Sequence, residues 1–344
     1  MTHRVAAIDC GTNSIRLLIA DMTPESDGVL RDTERSGATD TAGPAPLADV
    51  TRQLRIVRLG EGVDRIGRLS PAALDRTMTA LSEYAGLIAA ARPEAVRMVA
   101  TSATRDAANS REFTDRVLGI LGVAPEVISG DDEAWLSFTG ATRELAGTPL
   151  ATAGRCPPPY LVTDIGGGST EFILGEAVAA VAGDGIPRGR LSGTSVNIGC
   201  VRMTERHLHG DPPLPAEIAA TIRDIDAALE LAAEAVPGEK ARTLVGLAGS
   251  VTTVAGIALG LGEYDSARIH HSRISAVRVH EIAGELLAMT RAERAAIPVM
   301  HPGRVDVIGA GALILDRIMT WFGFAEVLVS EHDILDGIAW SLIT

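Results

Sequence analysis

The chain has 344 residues, with 44 acidic against 31 basic side chains and a formal net charge of −13. That length favours two domains of ~100–200 residues each, and that charge argues against a general binder of nucleic acid or anionic membrane. Every basic residue except Lys240 is an arginine, so an anion site here must be built from arginine forks and backbone amides.

Val5–Ile8 reads as a buried strand, followed by the turn Asp9-Cys10-Gly11-Thr12-Asn13-Ser14 and a second strand over Ile15–Ala20. The segment from Thr23 to Asp49, rich in Gly, Ser, Thr, Asp and Pro, reads as a long hairpin loop. Ser70-Pro71 supplies an N-cap and first helical position, after which Leu74, Met78, Leu81, Ala85 and Ile88 share one helix face. A strand is predicted over Val96–Ala100, a turn over Thr101–Arg105, a helix from there to about Gly119, and a short strand over Glu126–Ile128. Gly130-Asp131-Asp132-Glu133 opens a helix carrying Trp135, Leu136 and Phe138, and the Gly- and Pro-rich stretch Ala146–Pro159 marks a break. Beyond it come a strand over Tyr160–Thr163, the turn Asp164-Ile165-Gly166-Gly167-Gly168-Ser169 and a strand over Thr170–Leu174. Helices are then predicted over about 216–235, 251–260, 278–289 and 304–320, with short strands near Leu244–Leu247 and Glu326–Val329. This alternation predicts an α/β fold with mainly parallel sheets, edged by antiparallel hairpins at the glycine loops.

Hydrophobic residues make up 46 % of the chain but aromatics only 3 %, so small aliphatic residues must fill the core. Cys10, Cys156 and Cys200 are odd in number and without CxxC spacing, which points away from a disulfide framework or zinc site and toward a reducing cytoplasm. The apolar run between Arg4 and Asp9 is too short for a signal-peptide core, and no run approaches the ~18 apolar residues of a membrane span.

The two glycine loops superimpose, with Asp9 on Asp164, Gly11 on Gly166, Asn13 on Gly168, Ser14 on Ser169 and Arg16 on Glu171. Self-similarity at about half the chain length argues for two related α/β halves. Either loop alone is compatible with an ordinary hairpin turn. Repeated with its Asp and Ser, the pattern suits a cradle of backbone N–H groups and a hydroxyl around phosphate oxygens, and two facing cradles would clamp one phosphate. The aspartate leading each loop suits Mg²⁺, Asp164 foremost and Asp9 second. Glu171 is a carboxylate beside a phosphate site, which suggests a role in metal binding or water orientation. His270-His271 has no ligand partners at usable spacing and reads as structural.

The pair DCGTNSIRLL and DIGGGSTE resembles the two phosphate motifs of the acetate kinase, sugar kinase, Hsp70 and actin superfamily, and Gly246-Leu247-Ala248-Gly249-Ser250 resembles its adenosine-type loop. Within it, RLGEGVD (58–64), ATSATRDAANS (100–110), ISGDDEAWLSFTGA (128–141) and NIGCVRMTE (197–205) are similar to the Ppx/GppA family of exopolyphosphatases and guanosine pentaphosphate phosphohydrolases. The resemblance implies two ribonuclease H-like (actin-like) α/β domains around a cleft. We place them at 1–129 plus about 325–344, and 130–324. It implies Glu133 as the water-activating base, whereas composition alone reads Asp131, Asp132 and Glu133 as complementing a helix dipole. It also implies Arg105 as a phosphate contact, Asn13, Gly166, Gly167, Gly168 and Ser169 as the phosphate cradle, to which the loop repeat adds Ser14, and Cys200 as a lining residue. Arg188, Arg190, Arg202 and Arg206 cluster where they would guide a polyphosphate tail. The length matches the short two-domain form without a C-terminal helical HD-type domain, and Glu331–Gly337 departs from the family's GLREG. The implied activity is Mg²⁺-dependent exopolyphosphatase, with pppGpp 5′-phosphohydrolase as the alternative, in a homodimer. A superfamily kinase or a non-enzymatic nucleotide-dependent regulator fits less well.

Overall fold

The structure is a computed structural model and describes residues 2–23, 47–145, 148–176 and 191–342. The first lobe is built from β1 (His3–Cys10), β2 (Ser14–Met22), β3 (Leu47–Ile56), the one-turn helix α1 (Val63–Ile66), α2 (Pro71–Ala91), β4 (Ala95–Ala100), α3 (Ser102–Arg105), α4 (Ser110–Leu121) and β5 (Glu126–Val127). The central strand β1 is buried from Val5 to Cys10. Ser70 caps α2 by accepting from the Ala73 amide, and the buried face runs through Leu74, Met78, Leu81 and Tyr84. Tyr84 takes the place expected for Ala85, and its hydroxyl donates to the Ile15 carbonyl at 3.0 Å.

The chain then crosses by α5 (Gly130–Leu145) and α6 (Pro149–Thr152) to β6 (Tyr160–Ile165), β7 (Thr170–Gly175), β8 (Ser192–Val196), α7 (Cys200–His207), α8 (Pro215–Ala235), β9 (Thr243–Leu247) and α9 (Ala248–Ala258). It continues through α10 (Ser266–Ile269), β10 (Arg273–Ser275), α11 (Ala276–Ala288), α12 (Arg291–Ala295), α13 (Ile308–Phe322), β11 (Glu326–Val329) and α14 (Ile334–Trp340). The sheets are ordered β3-β2-β1-β4-β5 and β10-β11-β9-β6-β7-β8. Apart from the added edge strand β10, the order is the same. In each sheet an antiparallel three-strand meander continues into parallel strands.

Helix α5 serves both lobes. Leu136 packs with Val5, Leu18 and the residues of α14, while Ala134, Phe138, Ala141 and Leu145 pack on the second sheet. The return of the chain to the first lobe comes later than the expected 325, because β11 pairs with β9 in the second sheet and only α14 packs on β1. Thr101–Arg105, expected as a turn, contains the single helical turn α3. The loop expected over 23–49 lies largely outside the described residues, but its end is corrected, since β3 begins at Leu47. Among the described residues no helix is long and apolar enough to cross a membrane.

Candidate active site

Both glycine loops close with the same hydrogen bond, Gly11 N–H to the Ser14 carbonyl at 2.9 Å and Gly166 N–H to the Ser169 carbonyl at 3.0 Å. Each is gripped from behind through its carbonyls. In the first, Thr12 C=O accepts from Gly60, and Asn13 C=O from Val57 and Arg58. In the second, the amides of Cys200, Val201 and Arg202 at the start of α7 reach the Gly166 and Gly167 carbonyls, and Arg202 Nε reaches that of Gly168. In a trans peptide the N–H points opposite to the preceding carbonyl. The amides of Asn13 and Ser14, and of Gly167, Gly168 and Ser169, therefore face away from these grips. The loops touch: a Cβ on Gly167 would lie 2.9 Å from Thr12 Cβ, and one on Gly168 2.7 Å from both Thr12 Oγ1 and Ser102 Oγ. Side chains at either position would push the cradles apart.

The hairpin register places Asp9 directly across from Arg16 and Asp164 directly across from Glu171. The first pair neutralises itself, with Arg16 Nη2 2.7 Å from Asp9 Oδ2, and Arg16 also bonds Asp333 from the loop before α14. The second pair sets like charges opposite each other, which is unfavourable. Its carboxylates are buried and met by hydroxyls, Ser137 Oγ on Asp164 Oδ2 and Ser195 Oγ on Glu171 Oε1, both at 2.7 Å. Burial, then the Glu171 charge, pushes Asp164 up to about 8. Burial also raises Glu171, with the hydroxyls of Ser195 and Ser169 opposing it. Burial first and Glu171 second hold Glu133 well above the usual carboxylate range, although Arg105 Nη1 donates to Glu133 Oε2 at 3.1 Å.

Asp9, Asn13, Ser14 and Glu133 line one cleft with Asp164, Gly166, Gly167, Ser169 and Cys200, enclosing about 800 Å³ including space open to solvent. Of the other expected residues, Gly168 is turned onto Thr12 and Ser102, Glu171 onto Ser195, and Arg105 onto Glu133 and the Ile128 carbonyl rather than into open space. Asp164, which lines the cleft and is bonded by a hydroxyl where Asp9 is bonded by a guanidinium, fits a divalent cation, and Glu171 adds negative charge across the hairpin. Among the described residues no set of three or more His, Cys, Asp or Glu side chains forms a ready coordination shell. Asp9, already engaged by Arg16, is the weaker candidate ligand.

These shifts carry a testable sign. A carboxyl whose folded pKa lies above its unfolded value stabilises the fold at low pH, and the contribution is lost as pH rises through the folded value. Between the ordinary 3.8 and about 8 for Asp164, EDTA-treated protein is therefore expected to lose thermal stability with rising pH. Scans at pH 6 and 8.5 check this, and saturating Mg²⁺ should shrink the difference.

Arg202 and Arg206, expected to guide a polyphosphate tail, instead bind across the lobes. Arg202 pairs with Asp64 and, at 2.6 Å, Asp106; Arg206 pairs with Asp64 at 2.9 Å and Asp224 at 2.7 Å. Engaged by carboxylates, they are not available cations for a tail, and Arg188 and Arg190 lie outside the described residues. Sequence reasoning missed Arg304, which lines the cleft beside Gly249, and also Asp333, Ser137 and Ser195. The Asp333–Asp336 capping box was a visible signal for a final helix, though not for its place against Arg16. His270 stacks on His271 and His332 at centroid distances of 3.6 and 4.7 Å.

Comparison with known proteins agrees with this architecture. "Exopolyphosphatase 2" of Mycobacterium tuberculosis is 47 % identical, with 98 % of each chain covered. A "Guanosine-5'-triphosphate,3'-diphosphate pyrophosphatase" of Aeromonas salmonicida is 28 % identical over 98 % of this chain and 59 % of its own. The solved structure of an "exopolyphosphatase-like protein" superimposes with a TM-score of 0.84 at 40 % identity, covering 98 % of both chains. The two lobes are actin-like α/β domains. The profile of the Ppx/GppA phosphatase family matches residues 38–344, and the chain belongs to that family.

Proposed function

We propose that this protein is an exopolyphosphatase that hydrolyses the terminal phosphoanhydride of inorganic polyphosphate and releases orthophosphate. The observation that carries the reading is the pair of phosphate cradles packed against each other beside the buried carboxylates of α5 and β7. In this reading the terminal phosphate sits on the outward amides of Asn13, Ser14, Gly167, Gly168 and Ser169. Glu133 takes the proton from the attacking water, Glu171 orients that water, and Arg105 steadies Glu133 and the developing charge. Asp164, with Asp9 second, would hold Mg²⁺, which supplies charge neutralisation on the phosphate oxygens. Cys200 is a wall of the cleft, not a nucleophile, since burial foremost raises its thiol pKa. The assembly that goes with this reading is a cytoplasmic homodimer acting on free polyphosphate, without nucleic acid or membrane.

One observation favours pppGpp as a second substrate. A chamber of about 1140 Å³, including open space, adjoins the cleft along Arg16, Leu54, Gly249 and Arg304, and its wall includes Tyr264, Pro298, Val299 and Met300. This wall suits a heterocycle, and Arg52, His301 and Arg304 on the same chamber suit the phosphates it would carry. Orthophosphate release from short polyphosphate, long polyphosphate and pppGpp, with Mg²⁺ and with EDTA, tests both. Release that requires Mg²⁺ and is faster on polyphosphate is expected. Faster release from pppGpp favours the second reading, ADP formation from ATP and an acceptor would indicate a kinase, and nucleotide binding without turnover would indicate a regulator.

A further inference from the structure

We infer that Ser137 is a positioning residue for Asp164 and makes helix α5 the ruler between the water-activating carboxylate and the cation-binding one. The inference rests on the reading of Asp164 as the Mg²⁺ ligand. Ser137 is fully buried four residues after Glu133, so both side chains project from one face of α5 toward the second glycine loop. A buried helical hydroxyl commonly turns back onto the carbonyl four residues earlier, and on this same helix Thr139 bonds Trp135 O and Thr142 bonds Phe138 O. Ser137 donates instead to Asp164 Oδ2 at 2.7 Å. A hydroxyl has one hydrogen, and facing an ionised carboxylate it can only donate. That bond fixes one carboxylate oxygen and the rotation of the group, leaving Oδ1 as the oxygen for a cation. In the first lobe the matching carboxylate, Asp9, is held by Arg16, which supplies charge as well as direction. Ser137 supplies direction alone and leaves the negative charge for an incoming cation.

Mn²⁺ binding by the full chain, followed by electron paramagnetic resonance without polyphosphate, tests this. Outer-shell partners of metal ligands typically contribute ~10–100-fold to metal affinity. S137A is expected to weaken Mn²⁺ binding by about 10-fold or more and to raise the Mg²⁺ concentration for half-maximal turnover, with kcat recovering at saturation. S137T keeps the hydroxyl and should restore binding. Thermal midpoints in EDTA establish that the variants fold. Unchanged Mn²⁺ affinity in folded S137A overturns the inference alone. A wild-type chain that releases orthophosphate but binds no Mn²⁺ overturns the cation reading and Ser137 with it, and binding without turnover overturns the exopolyphosphatase reading only.

Discussion

Glu133→Gln is expected to lower kcat for orthophosphate release by at least ~10²-fold, the usual scale for losing a general base. The substitution is close to isosteric, and its amide oxygen still accepts from Arg105 where Glu133 Oε2 does now. What disappears is the capacity to take a proton. Because Glu133 is buried near Glu171 and Asp164, glutamine also removes an unfavourable charge, so the variant should melt no lower than the wild type in EDTA. A dead enzyme of undiminished stability separates a chemical role from a structural one. Asp131→Asn and Asp132→Asn, at the solvent-facing start of α5, should leave turnover nearly intact. Undiminished turnover in Glu133→Gln would remove this residue from the mechanism.

Gly140→Ala should be among the most damaging single-methyl additions in the protein. Helices α5 and α14 cross with their backbones in contact: a Cβ on Gly140 would lie 1.8 Å from the Asp333 carbonyl oxygen and 2.9 Å from the Gly337 nitrogen. The reciprocal Cβ on Gly337 would lie 2.0 Å from the Leu136 carbonyl oxygen. Overpacking ordinarily costs ~1–3 kcal/mol, and contacts made by backbone, which has no rotamer to change, put this one at about 3 kcal/mol or more. At ~2–4 °C per kcal/mol for larger domains, the melting midpoint should fall by about 6 °C or more. Activity should fall with it, since α5 carries Glu133 and Ser137 and the Asp333 turn holds Arg16. Gly86→Ala and Gly284→Ala are the contrast: both lie within helices with nothing near the added Cβ, and should be neutral or mildly stabilising.

The glycine hairpins were legible because a turn flanked by buried strands is a local pattern, and so was the repeat that pairs them. Of the four strands at the sheet margins only β5 was read, and β3, β8 and β10 were not. Strand β3, LADVTRQLRI, is mostly exposed or half-buried and carries arginines, as edge strands often do, while β8, SGTSV, offers no apolar alternation to read. Helix α14 carried a local signal in its capping box, but its place was not legible, because Asp333 meets Arg16 across 317 residues. Glu133 was legible only through family resemblance, since an acidic first turn is what any helix favours. Ser137 would pass for the polar face of an amphipathic helix, and only the burial of α5 on both sides shows otherwise. The arginines of α7 misled in the opposite direction, because sequence displays a charge without its counter-ion.

The unequal hairpins give the cleft a polarity that its backbone lacks. Two lobes of matching strand order would present a phosphate with two equivalent walls and no preferred side for attack. With arginine opposite aspartate on one wall and two acids opposite each other on the other, the first wall carries its own counter-ion, shared with Asp333, and the second, among the described residues, carries none. In the second the opposed acids are met by hydroxyls, and burial raises both. The two lobes of matching strand order thus differ in charge at a single cross-strand position, Arg16 in one and Glu171 in the other.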